Sequence, residues 1–297
     1  MSRERDTRSL GAPSARRWWV TLACAVALFG AVYVAAVLTP AGQAFENAAL
    51  RGADQVSAGE FALASDALGR ITLISLAVAT VGVGAIGLLR RQPALAAIAV
   101  GVIAAGQLVT QSLKRWVLPR PELVPVTGDF TENSFPSGHT TIAMTVLVAV
   151  FLVVPYRWRG IAMLFTSGWA VGIGAYTVTA KWHRLSDTIG ADLVALALGA
   201  VAALILLRMR RLEIIARPPR ARTAVVVVFA VLCAVSCALG ALLATAALRY
   251  TLTDPVIEWD VYLSAHALAL AGSLGAALAY WGTWHRIGVR PAPPRHE

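Results

Sequence analysis

Long apolar runs alternate with short polar segments along most of the chain. Eight runs approach or exceed the ~20 helical residues that a bilayer core requires. They lie at about 18–38, 71–89, 93–113, 138–155, 160–180, 186–207, 222–248 and 261–284. The pattern predicts an all-α, polytopic membrane helix bundle of about eight transmembrane helices. The first run is too long for a signal-peptide core and lacks an obvious small-residue cleavage site, so it is expected to stay as an anchor. Segment 39–70 reads as a longer loop with mixed charges and a short surface helix within 44–56. Four units follow: a tail, first helix and loop (1–70), a central set of helices (71–207), a basic linker (208–221) and a C-terminal helix pair with a short tail (222–297).

Composition agrees with that pattern. Of the 297 residues 58% are hydrophobic and only 14% charged, against roughly 45–50% and about 25% in soluble domains. Disordered, fibrous and ordinary soluble chains are excluded. The net charge of +10 does not imply nucleic acid, because basic residues of a membrane protein collect in cytoplasmic loops. With the N-terminus inside, 18 of the 26 Lys and Arg fall in cytoplasmic segments, and both termini come out cytoplasmic. The cytoplasmic loops, above all 208–222 with Pro218-Pro219, then face anionic lipid headgroups. Cys24, Cys233 and Cys237 sit inside apolar runs and read as small apolar fillers. The C-terminal pair is a possible surface for oligomers.

Five of the eight outer cations cluster in two loops where the charge bias disfavours them. They lie in the first and third of three polar islands: Lys114–Pro121, Asn133–Thr140 and Lys181–Asp187. By the orientation above, all three share the outer face. Pro136-Ser137-Gly138 opens the fourth run, and a helix N-terminus there offers free N–H groups to an anion. Lys114 and Arg120 add fixed positive charge suited to phosphate. His139 stands at the edge of that site. His183 and Asp187 are four apart and share a helical face. A carboxylate on one imidazole nitrogen fixes the tautomer and leaves the other free to attack or to carry protons. Two histidines, an orienting Asp and a cationic cradle suffice for metal-free phosphoryl transfer. No cofactor, metal site or nucleic-acid partner is expected.

The three islands resemble the signature of the type-2 phosphatidic acid phosphatase family, which includes vanadium haloperoxidases and bacterial acid phosphatases. Pro-Ser-Gly-His at residues 136–139 is the strongest match, and the resemblance covers roughly 70–205. It implies that Lys114, Arg120, Ser137 and Gly138 bind phosphate, that His139 is the acid/base, that His183 is the nucleophile and that Asp187 is its partner. Two departures stand out. Five residues rather than six separate Lys114 from Arg120, so Arg115 could share the lysine's role. The arginine six places before the nucleophilic His is replaced by Thr177, and Arg184 is the candidate substitute. An arginine restored at 177 is then expected to rescue a chain lacking Arg184.

The implied function is an integral membrane phosphatase of a lipid phosphate or diphosphate, acting at the outer leaflet of the cell membrane through a phosphohistidine. Polyprenyl diphosphate or phosphate, phosphatidylglycerophosphate and phosphatidic acid are the candidate substrates. A lipid phosphotransferase using the same phosphohistidine is the nearest alternative. A non-enzymatic lipid or anion transporter is a third, though transporter sites usually lie near the midplane. Lys181 reads as an interface anchor, Asp192 as a buried supporting charge and His266 as a hydrogen-bonded packing residue.

Overall fold

The computed structural model describes residues 13–126, 132–215 and 220–290; of residues 220 and 221 only the backbone is described. Each of the eight apolar runs becomes a helix. In chain order these are α1 (Arg16–Val32, continued by a π-helical turn to Val37), α4 (Leu73–Leu89), α5 (Pro93–Ser112, continued to Val117), α6 (Gly138–Val153), α7 (Arg159–Thr179), α8 (Leu185–Arg208), α9 (Arg220–Ala247) and α10 (Pro255–Thr283). Two helices stand between α1 and α4: α2 (Pro40–Gly52) and α3 (Ala58–Gly69). Among the described residues six helices are long and apolar enough to cross a membrane, and α3 with α4, bent by 58°, would make a seventh.

α6 is the shortest of the eight, and it occupies the centre. Twelve of its sixteen residues are buried, with α5, α7 and α8 packed around it. A helix that is apolar on all sides is stable only when enclosed by others or by lipid. α4 and α9 take the second course. Leu73, Ile74, Val78 and Val81 on α4, and Val227, Val231, Val235 and Leu242 on α9, are exposed. Such contiguous apolar surface belongs against hydrocarbon. α10 is more enclosed: it packs on α2, α7 and α8 as well as on α9.

The expected surface helix at 44–56 is instead α2, shifted four residues towards the N-terminus and buried on one side. Thr39 caps it, its hydroxyl accepting the Gly42 N–H at 3.0 Å, and Pro40 takes the first helical position. Gln43, Glu46 and Asn47 are buried. At Gly52 the helix meets α10 so closely that an added Cβ would stand 2.0 Å from the Glu258 carbonyl oxygen. α3 was not expected; Ser57 caps it by accepting the Glu60 N–H.

At the end of the bundle away from the three islands, arginines donate to carbonyls that helix C-termini and turns leave open. Arg159 donates to the Ile287 carbonyl at 2.8 Å, and Arg222 to those of Trp281 and Trp284. Arg90 donates to the Val153 carbonyl and Arg17 to that of Thr283, so the described N-terminal residues lie beside the end of α10. The basic stretch expected as a linker contains a strand, β1 (Leu212–Ile214), paired antiparallel with β2 (Ile287–Val289), Glu213 facing Gly288. Residues 216–219 of that stretch, including Pro218-Pro219, lie outside the described residues.

Candidate active site

The three islands meet at one end of the bundle. Ser137 is the N-cap of α6, its hydroxyl accepting the Thr140 N–H at 3.3 Å. Its own N–H donates to the Asp187 carbonyl at 2.8 Å, which ties the start of α6 to the first turn of α8. The first island is tied in by Asn133. Its amide donates to the carbonyls of Lys114 and Leu118 and accepts the Phe135 N–H. Phe135 lies under this turn against Gly190, where an added Cβ would be 2.7 Å from the ring. Glycine at 190 lets α8 come close enough for the bond from Ser137.

α8 begins at the third island. The His183 and Trp182 N–H groups donate to the Thr177 carbonyl at the end of α7. Arg184 is the N-cap residue, and its N–H donates to Asp187 Oδ2 at 2.9 Å. His183 Nδ1 lies 3.3 Å from that same oxygen. Asp187 is fully buried and its Oδ1 has no partner among the described residues. The His139 ring stands 6.0 Å from that of His183, centroid to centroid, and edge-on to Trp182 at 5.1 Å. The start of α6 also faces Gln111, whose amide nitrogen lies 3.6 Å from the position of a Cβ on Gly138.

A cavity of about 640 Å³ opens beside these groups. Lys114, His183, Arg184, Asn133 and Ser134 line one part of it; Lys181, Trp182, Leu50, Asp54 and Phe61 line much of the rest. Arg184 Nη1 donates to Ser134 Oγ at 3.1 Å. Lys181 forms an ion pair with Asp54 on the turn after α2. Arg120 lies behind this lining. Its Nη2 donates to Glu46 Oε2 at 3.0 Å, the two side chains being 6% and 3% exposed. The other Glu46 oxygen accepts the Ser186 N–H at 2.9 Å. Burial pushes the Glu46 carboxyl pKa up, and neighbouring Asp187 adds to this; Arg120 and the Ser186 bond pull it back. Burial lowers the Arg184 pKa, with Arg120 beside it acting in the same direction.

Lys114, His183 and Arg184 thus share one cavity, with His139 and Ser137 joined to it through His183 and Asp187. Arg120 is drawn to Glu46 instead. Glu46, Ser134 and Asp54 were not singled out in the sequence. Glu46 carried one faint signal, being the only acidic residue of α2. Thr177, in the place of the family's second arginine, is fully buried, its hydroxyl donating to the Gly174 carbonyl and lying 3.1 Å from that of Thr188. An arginine at 177 would have to displace Thr188, which stands against the rescue expected from the sequence. Asp192 lies with both carboxylate oxygens near Ser273 Oγ, at 2.9 and 3.1 Å, and His266 pairs with Thr179. Among the described residues no group of three or more His, Cys, Asp and Glu stands close enough to hold a metal ion.

Residues 95–214 match the model of the PAP2 superfamily. The fold is similar to the crystal structure of a transmembrane PAP2-type phosphatidylglycerolphosphate phosphatase from Bacillus subtilis, with a TM-score of 0.54 and 20% identity. The likeness covers 64% of this chain and 98% of that one. No curated protein matches the chain. The matched segment holds all three islands and leaves out α2, α9 and α10.

Proposed function

We propose, from the match of residues 95–214 to the PAP2 superfamily model, that the chain is an integral membrane phosphatase acting on a lipid phosphate or diphosphate. The observation that carries this reading is the cavity wall itself. His183, with Nδ1 on Asp187, stands there beside Lys114 and Arg184, and the His139 ring lies 6.0 Å away. A nucleophile, its orienting carboxylate, a second proton-transfer group and two cations converge on a space open to substrate.

In the first step His183 attacks phosphorus through Nε2, the nitrogen that Asp187 leaves available. The bond from phosphorus to the leaving oxygen breaks, and His139 gives that oxygen a proton. The phosphoryl group then rests on His183. In the second step His139 takes a proton from water as the water oxygen bonds to phosphorus. The phosphorus–nitrogen bond breaks and inorganic phosphate leaves. Lys114, Arg184 and Arg120 offset the charge on the phosphoryl oxygens, and the N–H groups at the start of α6 add to them. Arg184 takes the place of the arginine that Thr177 lacks.

A lipid substrate suits the setting. The islands lie at one end of apolar helices whose outward surfaces are hydrocarbon-like, so a lipid held in the leaflet presents its phosphate at the cavity level. The excess of arginine at the other end supports a cavity on the outer side of the cell membrane, with the arginine-rich end against anionic headgroups.

Phosphate release by the purified protein tests the reading. Polyprenyl diphosphate, polyprenyl phosphate, phosphatidylglycerophosphate and phosphatidic acid form the substrate panel, with His183→Ala as blank. Release from at least one lipid, absent from the blank, is the expected result. No release from any of them would overturn it.

A further inference from the structure

We infer that Glu46, on a helix outside the PAP2-matched segment, is a positioning residue that sets the phosphate cradle by holding Arg120 and the start of α8 together. The inference rests on the reading of Arg120 as a phosphate ligand.

A carboxylate placed this deep is costly unless paired. Glu46 has both of its oxygens engaged: Oε2 by Arg120 at 3.0 Å and Oε1 by the Ser186 N–H at 2.9 Å. Those partners belong to different islands, the first and the third. Ser186 is one residue from Asp187 and three from His183. A single side chain therefore sets the distance between a phosphate-binding arginine and the nucleophile. Arg120 keeps one terminal nitrogen, Nη1, buried and without a partner among the described residues. A buried donor left open costs free energy unless a ligand completes it. A phosphate oxygen is such a ligand, and the ion pair through Nη2 holds the guanidinium with Nη1 left open for it.

The rest of α2 and the end of α1 serve the same loop. Gln43 donates to the Pro121 carbonyl at 2.7 Å and accepts the Leu123 N–H at 3.0 Å. The Tyr33 hydroxyl donates to the Pro119 carbonyl. The backbone on both sides of Arg120 is thereby anchored, and Glu46 fixes the side chain. Fold stability alone is a poor account of such a pair, since a buried ion pair adds little over well-packed apolar residues.

The test is a double-mutant cycle read by affinity for inorganic phosphate, titrated on purified protein without turnover. Glu46→Gln keeps the shape and one acceptor but removes the charge. It should weaken phosphate binding about 30-fold or more, and Glu46→Asp should recover part of the loss. Arg120→Met should weaken binding to a similar extent. The double variant should bind within about threefold of Arg120→Met, because Glu46 acts through the arginine. Losses that multiply would overturn the inference, as would tighter binding by Glu46→Gln, the sign of a glutamate that withholds Arg120. Should Glu46→Gln elute or melt as a misfolded protein, the cycle is run with Glu46→Asp and the same criterion applies. Lipid hydrolysis by the parent is measured separately. A parent that binds phosphate with the expected coupling but hydrolyses no lipid refutes the proposed function and leaves this inference standing. A parent without saturable phosphate binding overturns the inference whatever its turnover.

Discussion

His183 Nδ1 and the backbone N–H of Arg184 share one oxygen of Asp187, at 3.3 and 2.9 Å. The backbone bond stops the carboxylate from rotating, so the imidazole is held by an acceptor that is itself fixed. With Asp187 accepting, His183 carries its proton on Nδ1 and keeps Nε2 available for the proposed attack on phosphorus.

Asp187→Asn keeps the volume and exchanges an acceptor for an amide that can turn its NH2 to either neighbour. The tautomer of His183 is then no longer enforced. Turnover should fall on the order of a thousandfold or more, with little change in KM. Steady-state rates on the best lipid substrate check this; a loss confined to KM would contradict it.

Arg184 lines the cavity beside His183. Arg184→Ala should lower turnover about a hundredfold or more, and Arg184→Lys should recover only part, since the bidentate fork is lost. Adding Thr177→Arg to Arg184→Ala should give no recovery and a lower melting temperature, because Thr177 is packed against Thr188. Restored turnover in that double variant would show that the site can rearrange.

Gly190→Ala places a methyl 2.7 Å from the Phe135 ring. Phe135 or α8 must give way, at about 1–3 kcal/mol. The bond from Ser137 to the Asp187 carbonyl depends on that approach, so turnover should fall together with the melting temperature. Thermal unfolding in detergent, run beside the activity assay, reads both.

Sidedness is open to labelling. In a background without Cys24, Cys233 and Cys237, a cysteine at Glu132, beside the cavity, should react with an impermeant maleimide added to intact cells. One at Arg210, at the opposite end, should not. The reverse pattern would put the active site in the cytoplasm.

The proposed mechanism, with His183 as nucleophile, His139 as acid/base and cations on the phosphoryl oxygens, calls for no bound ion. Activity should survive excess EDTA, and vanadate should inhibit by adopting the five-coordinate geometry of the transferring phosphorus. Loss with EDTA and recovery with Mg²⁺ would refute the mechanism.

The helices were legible in the sequence because lipid imposes a simple demand. Inside hydrocarbon every backbone group must bond within its own segment, and the segment must be apolar along its whole length. That demand is local, so the eight runs read directly as helices. The three islands were legible for the complementary reason: polar residues at the ends of such runs need another purpose. The four-residue spacing also pointed to the pairing of His183 with Asp187, but His183 stands before the N-cap Arg184, so the turn into α8 joins them and not a shared helical face.

Non-local contacts were not legible. The pairing of Leu212–Ile214 with Ile287–Val289 joins two three-residue strands too short for a period to show. Helix α2 appeared as a surface element because three of its seven buried residues, Gln43, Glu46 and Asn47, are polar. Glu46 fell within the expected surface helix at 44–56 and carried no sign of a partner. It meets Arg120 across 74 residues of sequence, a pairing that no spacing rule can express.

Sequence alone determined which long apolar segments are helical and which polar residues gather at their ends. Only the tertiary structure decided that Arg184 lines the cavity while Arg120 turns to Glu46, and that Thr177 is sealed against Thr188. Helix formation and i,i+4 facing follow from backbone geometry within a few residues. Which guanidinium reaches a cavity depends on how distant helices pack and which carboxylate they bring within reach.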